Sequence, residues 1–207
     1  MNDPCIIRPA VPDDAAALLQ IYAPYVTNTA VSFEYTVPSP DEFASRIENT
    51  LKKYPYLVAE DPHASTLSGP HILGYAYVSI FHGRAAYNWS VETSIYIDQD
   101  KRKCGLGRAL HDALETTLKF QGIINMYAAI ACPPDKDPDD PYLSLDSIRF
   151  HEKLGYRENA HFRKCGYKFD RWYDIIWMEK IIGQHSIPQT PIRPFTLELF
   201  KNAVQEF

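Results

Sequence analysis

The stretch Asp98-Gln99-Asp100-Lys101-Arg102-Lys103-Cys104-Gly105-Leu106-Gly107-Arg108 connects an alternating strand pattern to the most regular helix pattern of the chain. Gly105 and Gly107 leave backbone N–H groups uncovered where that helix begins, and the unpaired donors and the helix dipole favour an anion there. Four basic residues lie in the same stretch: Lys101, Arg102, Lys103 and Arg108. The stretch therefore predicts a binding loop for a phosphate or pyrophosphate group.

Two familiar nucleotide-binding motifs do not fit this loop. A Walker A motif needs Gly-Lys-Ser/Thr, which is missing, and a G-x-G-x-x-G motif fails because Leu110 occupies the third glycine position. The plain alternative is a solvated turn with a capping glycine. We favour the phosphate site because a strand, a basic cluster and a helix start coincide here.

The composition is that of one compact folded domain. The chain has 207 residues, of which 45% are hydrophobic, and its 10 Phe, 14 Tyr and 3 Trp supply more buriable surface than disordered chains carry. Asp and Glu (26) outnumber Lys and Arg (21), which gives a formal net charge of −5. Because broad contact with phosphate backbones needs a basic surface, we expect no nucleic-acid partner.

Neither export nor a membrane partner is expected from the sequence. Residues 1–8 lack a basic segment followed by an apolar one, and no apolar run approaches the length that spans a bilayer. The four cysteines are far apart, which is typical of thiols in a reducing compartment, so we expect a cytoplasmic protein. His151-Glu152 begins like a zinc-binding H-E-x-x-H motif, but Gly155 replaces the second histidine, so no metal is expected.

The spacing of apolar residues predicts several helices and strands, and the sequence contains no internal repeat. Helices are predicted from a cap at Asp13, from Ser39 to about Lys53, over 107–121, over 145–154 and within 195–207. Strands are predicted over 5–9, 56–60, 73–81, 90–97, 125–132, 156–162 and 172–180, with a hairpin loop over 61–70. Because hairpins are mixed with crossover helices, the predicted fold class is α+β, with a mixed α/β sheet.

The chain is expected to form one domain over 1–182 and a C-terminal tail over 183–207. The polar segment 133–142, Pro-Pro-Asp-Lys-Asp-Pro-Asp-Asp-Pro-Tyr, is interpreted as an insertion inside that domain. The tail is interrupted by prolines, and Leu197, Phe200 and Val204 indicate the apolar face of a short helix.

Arg102-x-x-Gly105-x-Gly107 after a strand resembles the acyl-CoA pyrophosphate loop of the GNAT N-acetyltransferase superfamily. Residues 147–156 resemble the late helix and turn of that fold. Residues 84–96 and 166–174 resemble its branch of phosphinothricin and methionine sulfone or sulfoximine acetyltransferases. The resemblance covers about residues 6–180. It implies a GNAT fold with a central mixed, mostly antiparallel sheet flanked by helices, acetyl-CoA as co-substrate, acetylation of the α-amine of a small amino acid, and a homodimer.

The resemblance also assigns acetyl-CoA contacts to the loop and to the strand before it. These residues are Ile95, Tyr96, Ile97, Arg102, Lys103, Cys104, Gly105, Leu106, Gly107 and Arg108. Ile95 and Ile97 are expected to contribute main-chain groups, because in this fold the strand diverges from its neighbour. Ser144 stands where the family has an asparagine that contacts the coenzyme.

Glu92 and His151 are the candidate catalytic residues. Glu92 faces away from Val91 and Ile95 in a predicted strand, where a carboxylate is costly to bury without a partner or a task. The family match implies a general base, and the alternative is a half-exposed residue paired with a cation. His151 matches the histidine of this branch near the coenzyme sulfur, where a protonated ring could donate to the leaving thiolate. The alternative is a packed histidine on an apolar helix.

Arg84 is the candidate for holding the carboxylate of the acceptor. Arginine binds a carboxylate through two hydrogen bonds, and this position matches a family arginine linked to the substrate. Four aromatic residues could line the side-chain pocket: Phe33, Tyr87, Trp89 and Tyr173. Glu34 stands where some phosphinothricin enzymes carry arginine, so a neutral acceptor side chain is expected to suit this chain better than a phosphinate.

Two other functions are compatible with these residues. The chain could acetylate another small amine, such as a polyamine or an aminoglycoside, although Arg84 would repel a cationic acceptor. It could also bind acyl-CoA without catalysis, although a complete loop together with Glu92 disfavours this.

Overall fold

The described part of the protein, residues 5–64 and 71–205 of this computed structural model, is built around one seven-stranded sheet. The strands are β1 (Ile6–Pro9), β2 (Tyr56–Glu60), β3 (Ile72–Ile80), β4 (Ser90–Ile97), β5 (Asn125–Cys132), β6 (Arg157–Lys168) and β7 (Arg171–Ile181). Their order in the sheet is β1-β2-β3-β4-β5-β7-β6. The pair β4–β5 is parallel and the other pairs are antiparallel, which confirms the predicted mixed, mostly antiparallel sheet.

Five helices of the described chain cover the sheet: α1 (Ala15–Asn28), α2 (Pro40–Leu51), α3 (Leu106–Gln121), α4 (Asp146–Lys153) and α5 (Leu197–Gln205). On one face, α3 buries Leu110, Leu114 and Leu118 completely, and each contributes about 2 kcal/mol of hydrophobic stabilisation. On the other face, α1 and α2 pack around Tyr75. None of the described helices has the length and hydropathy that crossing a bilayer requires.

The helices α1 and α2 begin in different ways. Ser39 caps α2 as predicted, because its Oγ accepts a hydrogen bond from the Glu42 N–H at 3.1 Å. The predicted cap of α1 at Asp13 is wrong. A 3₁₀ turn precedes α1, and the buried Asp14 carboxylate accepts two hydrogen bonds from Arg8 of β1, at 2.8 and 2.9 Å. This ion pair with the first strand determines how the chain enters the helix.

The strand β6 extends well beyond the predicted strand over 156–162. Its pairing with β7 shifts register between Glu158 and Ala160 and again between Phe162 and Gly166. These irregularities break the two-residue period on which the prediction rested. The other strands begin and end within one residue of their predicted bounds, and residues 65–70 of the predicted hairpin loop lie outside the described residues.

The strands β4 and β5 pair over a short distance and then separate. Residues 90–92 pair with residues 125–127. Farther along the chain, β4 continues beside β3 and β5 continues beside β7. The two strands therefore open a gap in the sheet, and Glu92 lies at its inner end.

The C-terminal tail packs on the rest of the chain. Trp89 Nε1–H donates to the Thr190 carbonyl at 2.7 Å, and α5 packs against α3. The buried face of α5 differs from the predicted one, because Leu199, Phe200 and Ala203 are buried whereas Leu197 and Val204 are exposed. The buried apolar side chains of the tail thus pack against other residues of the same chain.

A buried lysine joins the β6–β7 hairpin to the end of α1. The Lys168 ammonium donates to the main-chain carbonyls of Val26, Thr29 and Ser32 at 2.7, 3.0 and 2.6 Å. Lys168 is only 3% exposed, and its partners include carbonyls that a helix end leaves unpaired. The interaction therefore holds the segment after α1, which carries Phe33, against the hairpin.

Replacing Lys168 with methionine keeps an unbranched, largely apolar chain of atoms and removes the ammonium group. Three carbonyls then lose a hydrogen-bond partner, so the free energy of unfolding is expected to fall by about 3 kcal/mol. Urea denaturation followed by circular dichroism measures this change. Lys164→Met, at an exposed position of the same strand, is the matched control and is expected to stay within about 0.5 kcal/mol of the parent protein. Equal losses in the two variants would contradict the role assigned to the ammonium.

Candidate active site

The predicted phosphate loop runs into the N-terminus of α3. Gly105 precedes the first helical residue, and its φ of 91° lies in the left-handed region that glycine adopts without strain. Among the described residues, no side chain caps α3, and a Cβ added at Gly105 would meet no atom within 4 Å. The first N–H groups of α3 therefore face open space at the positive end of the helix dipole, which is a geometry that binds anions.

The loop contacts α1 on one side and α4 on the other. Arg102 stacks on the Tyr25 ring of α1, with 5.1 Å between the guanidinium carbon and the ring centroid. Gly107 lies so close to Phe150 of α4 that a Cβ at this position would be 3.2 Å from that ring. The glycine thus allows α4 to pack beside the start of α3.

The other loop residues differ in what they present to solvent. Lys103, Cys104 and Arg108 are exposed, whereas the Leu106 side chain is buried in the core, so that only the Leu106 main chain faces the loop. Arg108 also donates a hydrogen bond to the Lys153 carbonyl at 3.0 Å. The structure therefore brings the predicted loop residues together around the α3 N-terminus.

The main chain of β4 faces the gap at alternate residues. The Asp98 N–H donates to the Leu73 carbonyl at 2.9 Å, so even-numbered residues of β4 pair with β3 and odd-numbered ones face the gap. The main-chain groups of Ile95 are therefore directed into the gap. Tyr96, predicted as a coenzyme contact, pairs with Tyr75 of β3 and packs its ring against it, away from the gap.

Ile97 has a main-chain partner that the sequence did not reveal. The Tyr25 hydroxyl donates to the Ile97 carbonyl at 2.5 Å and accepts from its N–H at 3.3 Å. Because the ring of Tyr25 also supports Arg102, this tyrosine connects the end of β4 to the loop. Sequence reasoning missed it, since its position on α1 indicates only a core residue.

Glu92 lies at the inner end of the gap, opposite Ser79 of β3 and Tyr127 of β5. It is half-buried, and burial raises the pKa of its carboxyl above the usual value. Within the described residues no cation forms an ion pair with it, which disfavours the alternative of a salt-bridged strand residue. A carboxylate with a raised pKa is a stronger proton acceptor than an ordinary one.

Phe33 and Tyr173 come together beside the β6–β7 hairpin. Their ring centroids are 6.2 Å apart, and a Cβ at Gly166 would lie 2.0 Å from the Phe33 ring. Tyr173 is fully buried, and burial raises its pKa to about 12. Phe33 is half-buried and Tyr173 is not accessible, so Phe33 is the one of the pair that can contact a ligand.

Arg84 and Tyr87 lie on the loop that joins β3 to β4. Both are exposed, and Tyr87 packs against Phe81 and His82 with ring centroids 5.9 and 5.0 Å apart. Because the pairing of β3 with β4 extends past Glu92 by one residue, this loop lies at the Glu92 end of the gap.

Two further predicted residues, Trp89 and Ser144, have side chains that contact parts of the chain outside the gap. Trp89 contacts the C-terminal tail, so it is not brought to the acceptor side of the sheet. Ser144 is exposed before α4, and its Oγ accepts a hydrogen bond from the Asp146 N–H at 3.3 Å. Across residues 5–64 and 71–205, no group of three or more His, Cys, Asp or Glu side chains is placed to hold a metal ion.

His151 is buried on α4. Its Nδ1 lies 2.8 Å from the Ser147 carbonyl and donates to it, and its ring packs edge-on against Tyr156. Burial lowers its pKa, so the ring is neutral and Nε2 carries a lone pair rather than a proton. The role of His151 as a proton donor stays a prediction, and this geometry favours the packed histidine instead.

Comparison with known proteins identifies the family. Residues 7–177 match the model of the acetyltransferase (GNAT) domain. The chain belongs to the GNAT acetyltransferase family. Phosphinothricin N-acetyltransferase of Streptomyces viridochromogenes is 32% identical to this GNAT protein over 93% of the chain and 96% of the relative. An L-methionine sulfoximine/L-methionine sulfone acetyltransferase of Salmonella typhimurium is 30% identical over 88% of the chain and 97% of the relative.

A solved structure agrees with this assignment. The phosphinothricin acetyltransferase of Sinorhizobium meliloti, determined in complex with AcCoA, superposes on this GNAT protein with a TM-score of 0.75. The two chains are 31% identical, and the match covers 92% of this chain and 93% of the other. The predicted superfamily, its fold and its acetyltransferase activity are confirmed.

A second histidine is buried on the α3 side of this GNAT protein. His111 of α3 is fully buried, and its Nε2 lies 3.1 Å from the Tyr156 hydroxyl. Burial lowers the pKa of His111 to about 3 and also lowers the pKa of His151. Both rings are therefore neutral in the folded protein at neutral pH.

Stability is expected to fall as the pH is lowered from about 7.5 to about 5. The unfolded chain binds protons at these histidines near their usual pKa of about 6.5, whereas the folded protein does not, so protonation favours unfolding. Urea unfolding at several pH values measures the slope, and His111→Gln is expected to flatten it. His185→Gln, at an exposed histidine, should leave the slope unchanged. An unaltered slope in His111→Gln would show that His111 is not responsible.

Proposed function

We propose that the protein transfers the acetyl group of acetyl-CoA to the α-amino group of a small L-amino acid or analogue of the methionine sulfone, methionine sulfoximine or phosphinothricin type. The observation that carries this proposal is Glu92, a half-buried carboxylate of raised pKa in a gap that leads to an anion-binding loop. The acceptor class follows the names of the relatives. No observation favours a polyamine, an aminoglycoside or a non-catalytic role.

Acetyl-CoA is proposed to lie along the loop and the gap. Its pyrophosphate meets the N–H groups at the start of α3, with the cations of Arg102, Lys103 and Arg108 beside it. Its pantetheine arm follows β4, where the Ile95 main chain faces the gap. This arrangement directs the thioester toward Glu92.

The proposed chemistry is direct attack of the amine on the thioester. Glu92 accepts a proton from the ammonium of the acceptor, directly or through water, and the amine then forms a bond to the thioester carbonyl carbon. The Ile95 N–H donates to the oxyanion. When the carbon–sulfur bond breaks, the nitrogen of the tetrahedral intermediate loses its second proton and the CoA thiolate takes up one proton, directly or through water, so that a neutral amide and a thiol are formed. Arg84 holds the carboxylate of the acceptor, and Phe33 contacts its side chain.

We also propose a cytoplasmic homodimer. Phe81 stacks on Tyr127 and meets Trp177 edge-on, at 4.2 and 5.6 Å between ring centroids. Phe162, which is 53% accessible, lies on the same face of the sheet as Trp177 and adds exposed apolar surface. Exposed apolar surface of this kind supports association. Sedimentation equilibrium tests the assembly, and a monomer at all protein concentrations contradicts it.

The acceptor is identified by release of CoA thiol from acetyl-CoA. We expect release with methionine sulfone or methionine sulfoximine and none with spermidine or an aminoglycoside. Mass spectrometry of the product should show one added acetyl group on the α-amine. Thiol release with the polyamine but with none of the amino acids would contradict the proposed acceptor class. If none of the tested amines caused thiol release, the proposed acetyl transfer itself would be contradicted.

Glu92→Gln retains the size of the side chain and removes the carboxylate. Turnover is expected to fall by about 10²- to 10⁴-fold, because general-base catalysis is lost. Acetyl-CoA binding, measured by calorimetry, should not change. In the parent enzyme, the acidic limb of kcat/KM against pH is expected above the usual glutamate pKa of about 4.3, since burial raises the Glu92 pKa and activity is lost as pH falls through it.

Glu48→Gln, at an exposed glutamate of α2, is the control and should keep full turnover. Near-normal turnover in Glu92→Gln would remove Glu92 from the mechanism. The same assay distinguishes the two interpretations of His151. A proton donor predicts a lower kcat in His151→Phe, whereas a packed ring predicts an unchanged kcat.

A further inference from the structure

Glu34 is not an isolated anion next to Phe33. Its Oε1 accepts a hydrogen bond from Arg46 Nη1 of α2 at 2.7 Å. The side chains of Glu34 and Arg46 are 35% and 40% exposed, so the ion pair is accessible to a ligand. The negative charge that Glu34 presents to an acceptor is therefore partly balanced by the cation that lies against it.

Arg46 is shared between two carboxylates. Its Nη2 donates to Glu42 Oε1 at 2.6 Å, while Nη1 is bonded to Glu34. One guanidinium between two carboxylates has a net charge of −1. Arginine has five N–H donors, and the remaining donors of this exposed side chain stay available to a neutral acceptor oxygen. The cluster can therefore donate hydrogen bonds while it disfavours a further anion.

The pair lies on the same side of the sheet as Glu92. Tyr77 of β3 is opposite Ser94, two residues along β4 from Glu92, so their side chains share this face. The pKa of Tyr77 is raised mainly by its burial, and the charges of Arg46, Glu92 and Glu34 also act on it. Tyr77 packs in the same cluster as Phe43 and Ile47 of α2, the helix that carries Arg46, so the ion pair and Glu92 lie on one face of the sheet. Phe33, the neighbour of Glu34, contributes the aromatic wall next to them.

We propose that the Glu34–Arg46 ion pair sets the charge preference of the acceptor site; this rests on the proposed function and specifies its substrate class. An acceptor with a neutral, oxygen-bearing side chain, such as a sulfone, accepts hydrogen bonds from Arg46. An acceptor with a second anion, such as a phosphinate, also meets the negative charge of Glu34. The pair therefore selects neutral polar side chains over anionic ones.

The two members of the pair are expected to act in opposite directions. The readout is the ratio of kcat/KM for phosphinothricin to kcat/KM for methionine sulfone. Glu34→Gln changes the net charge of the cluster from −1 to 0 and should raise this ratio about tenfold. Arg46→Gln leaves Glu34 unpaired and should lower it about tenfold. Because both effects are electrostatic at an accessible site, they should shrink as salt is added.

Glu42→Gln is the matched control, since Glu42 is the other partner of Arg46 and is 54% exposed. It is expected to change the ratio less than Glu34→Gln does. Equal shifts in the two variants, or shifts of the same sign in Glu34→Gln and Arg46→Gln, overturn the proposal. Acetylation of methionine sulfone by the parent enzyme tests the proposed function separately. If that activity is present and the ratio does not move, only the selectivity proposal fails.

Discussion

The strand β4 leaves β5 after three paired residues, and the gap that opens there positions every part of the candidate site. Separation of two strands leaves main-chain donors and acceptors unpaired, and such groups need partners when they are buried. At the outer end of the gap, Tyr25 satisfies both main-chain groups of Ile97. Nearer to Glu92, the Ile95 groups face the gap itself, so a ligand with carbonyl and amide groups completes the hydrogen bonding that the sheet leaves open. The proposed binding of an extended acyl chain therefore uses the same kind of interaction that holds the strands together.

The end of α1 sets the distance between the two halves of this site. Tyr25 supports Arg102 of the phosphate loop, and the last turn of the same helix offers carbonyls to Lys168. Lys168 belongs to the β6–β7 hairpin, where Gly166 makes room for the ring of Phe33. One short helical segment thus contacts the loop on one side and, through Lys168, the hairpin that packs against Phe33 on the other. A change in its packing would move both regions together.

The sequence predicted those parts of the structure that depend on local pattern. The loop around Gly105, the strand that carries Glu92 and the helix α3 all have a clear periodicity or a glycine signal. The residues it missed act through contacts between distant segments. Tyr25 and Arg46 have ordinary spacings on their helices, and only the folded chain shows that their polar ends meet a strand terminus and a carboxylate. The prediction missed the second half of β6 for a different reason. Its irregular pairing removes the alternation of apolar and polar residues that identifies a strand.

The separation of charges along β4 explains how one candidate site combines a cationic loop with a carboxylate of raised pKa. A cation close to Glu92 would lower the pKa of its carboxyl and weaken it as a proton acceptor. Glu92 and Ile97 are five positions apart on β4, which corresponds to roughly 17 Å at about 3.3 Å per residue. This exceeds the screening length of about 8 Å at physiological salt. Burial accordingly raises the pKa of Glu92, and the loop can attract a pyrophosphate without lowering it. The length of β4 thus keeps the cationic loop away from Glu92, and it is compatible with the extended ligand proposed for the gap.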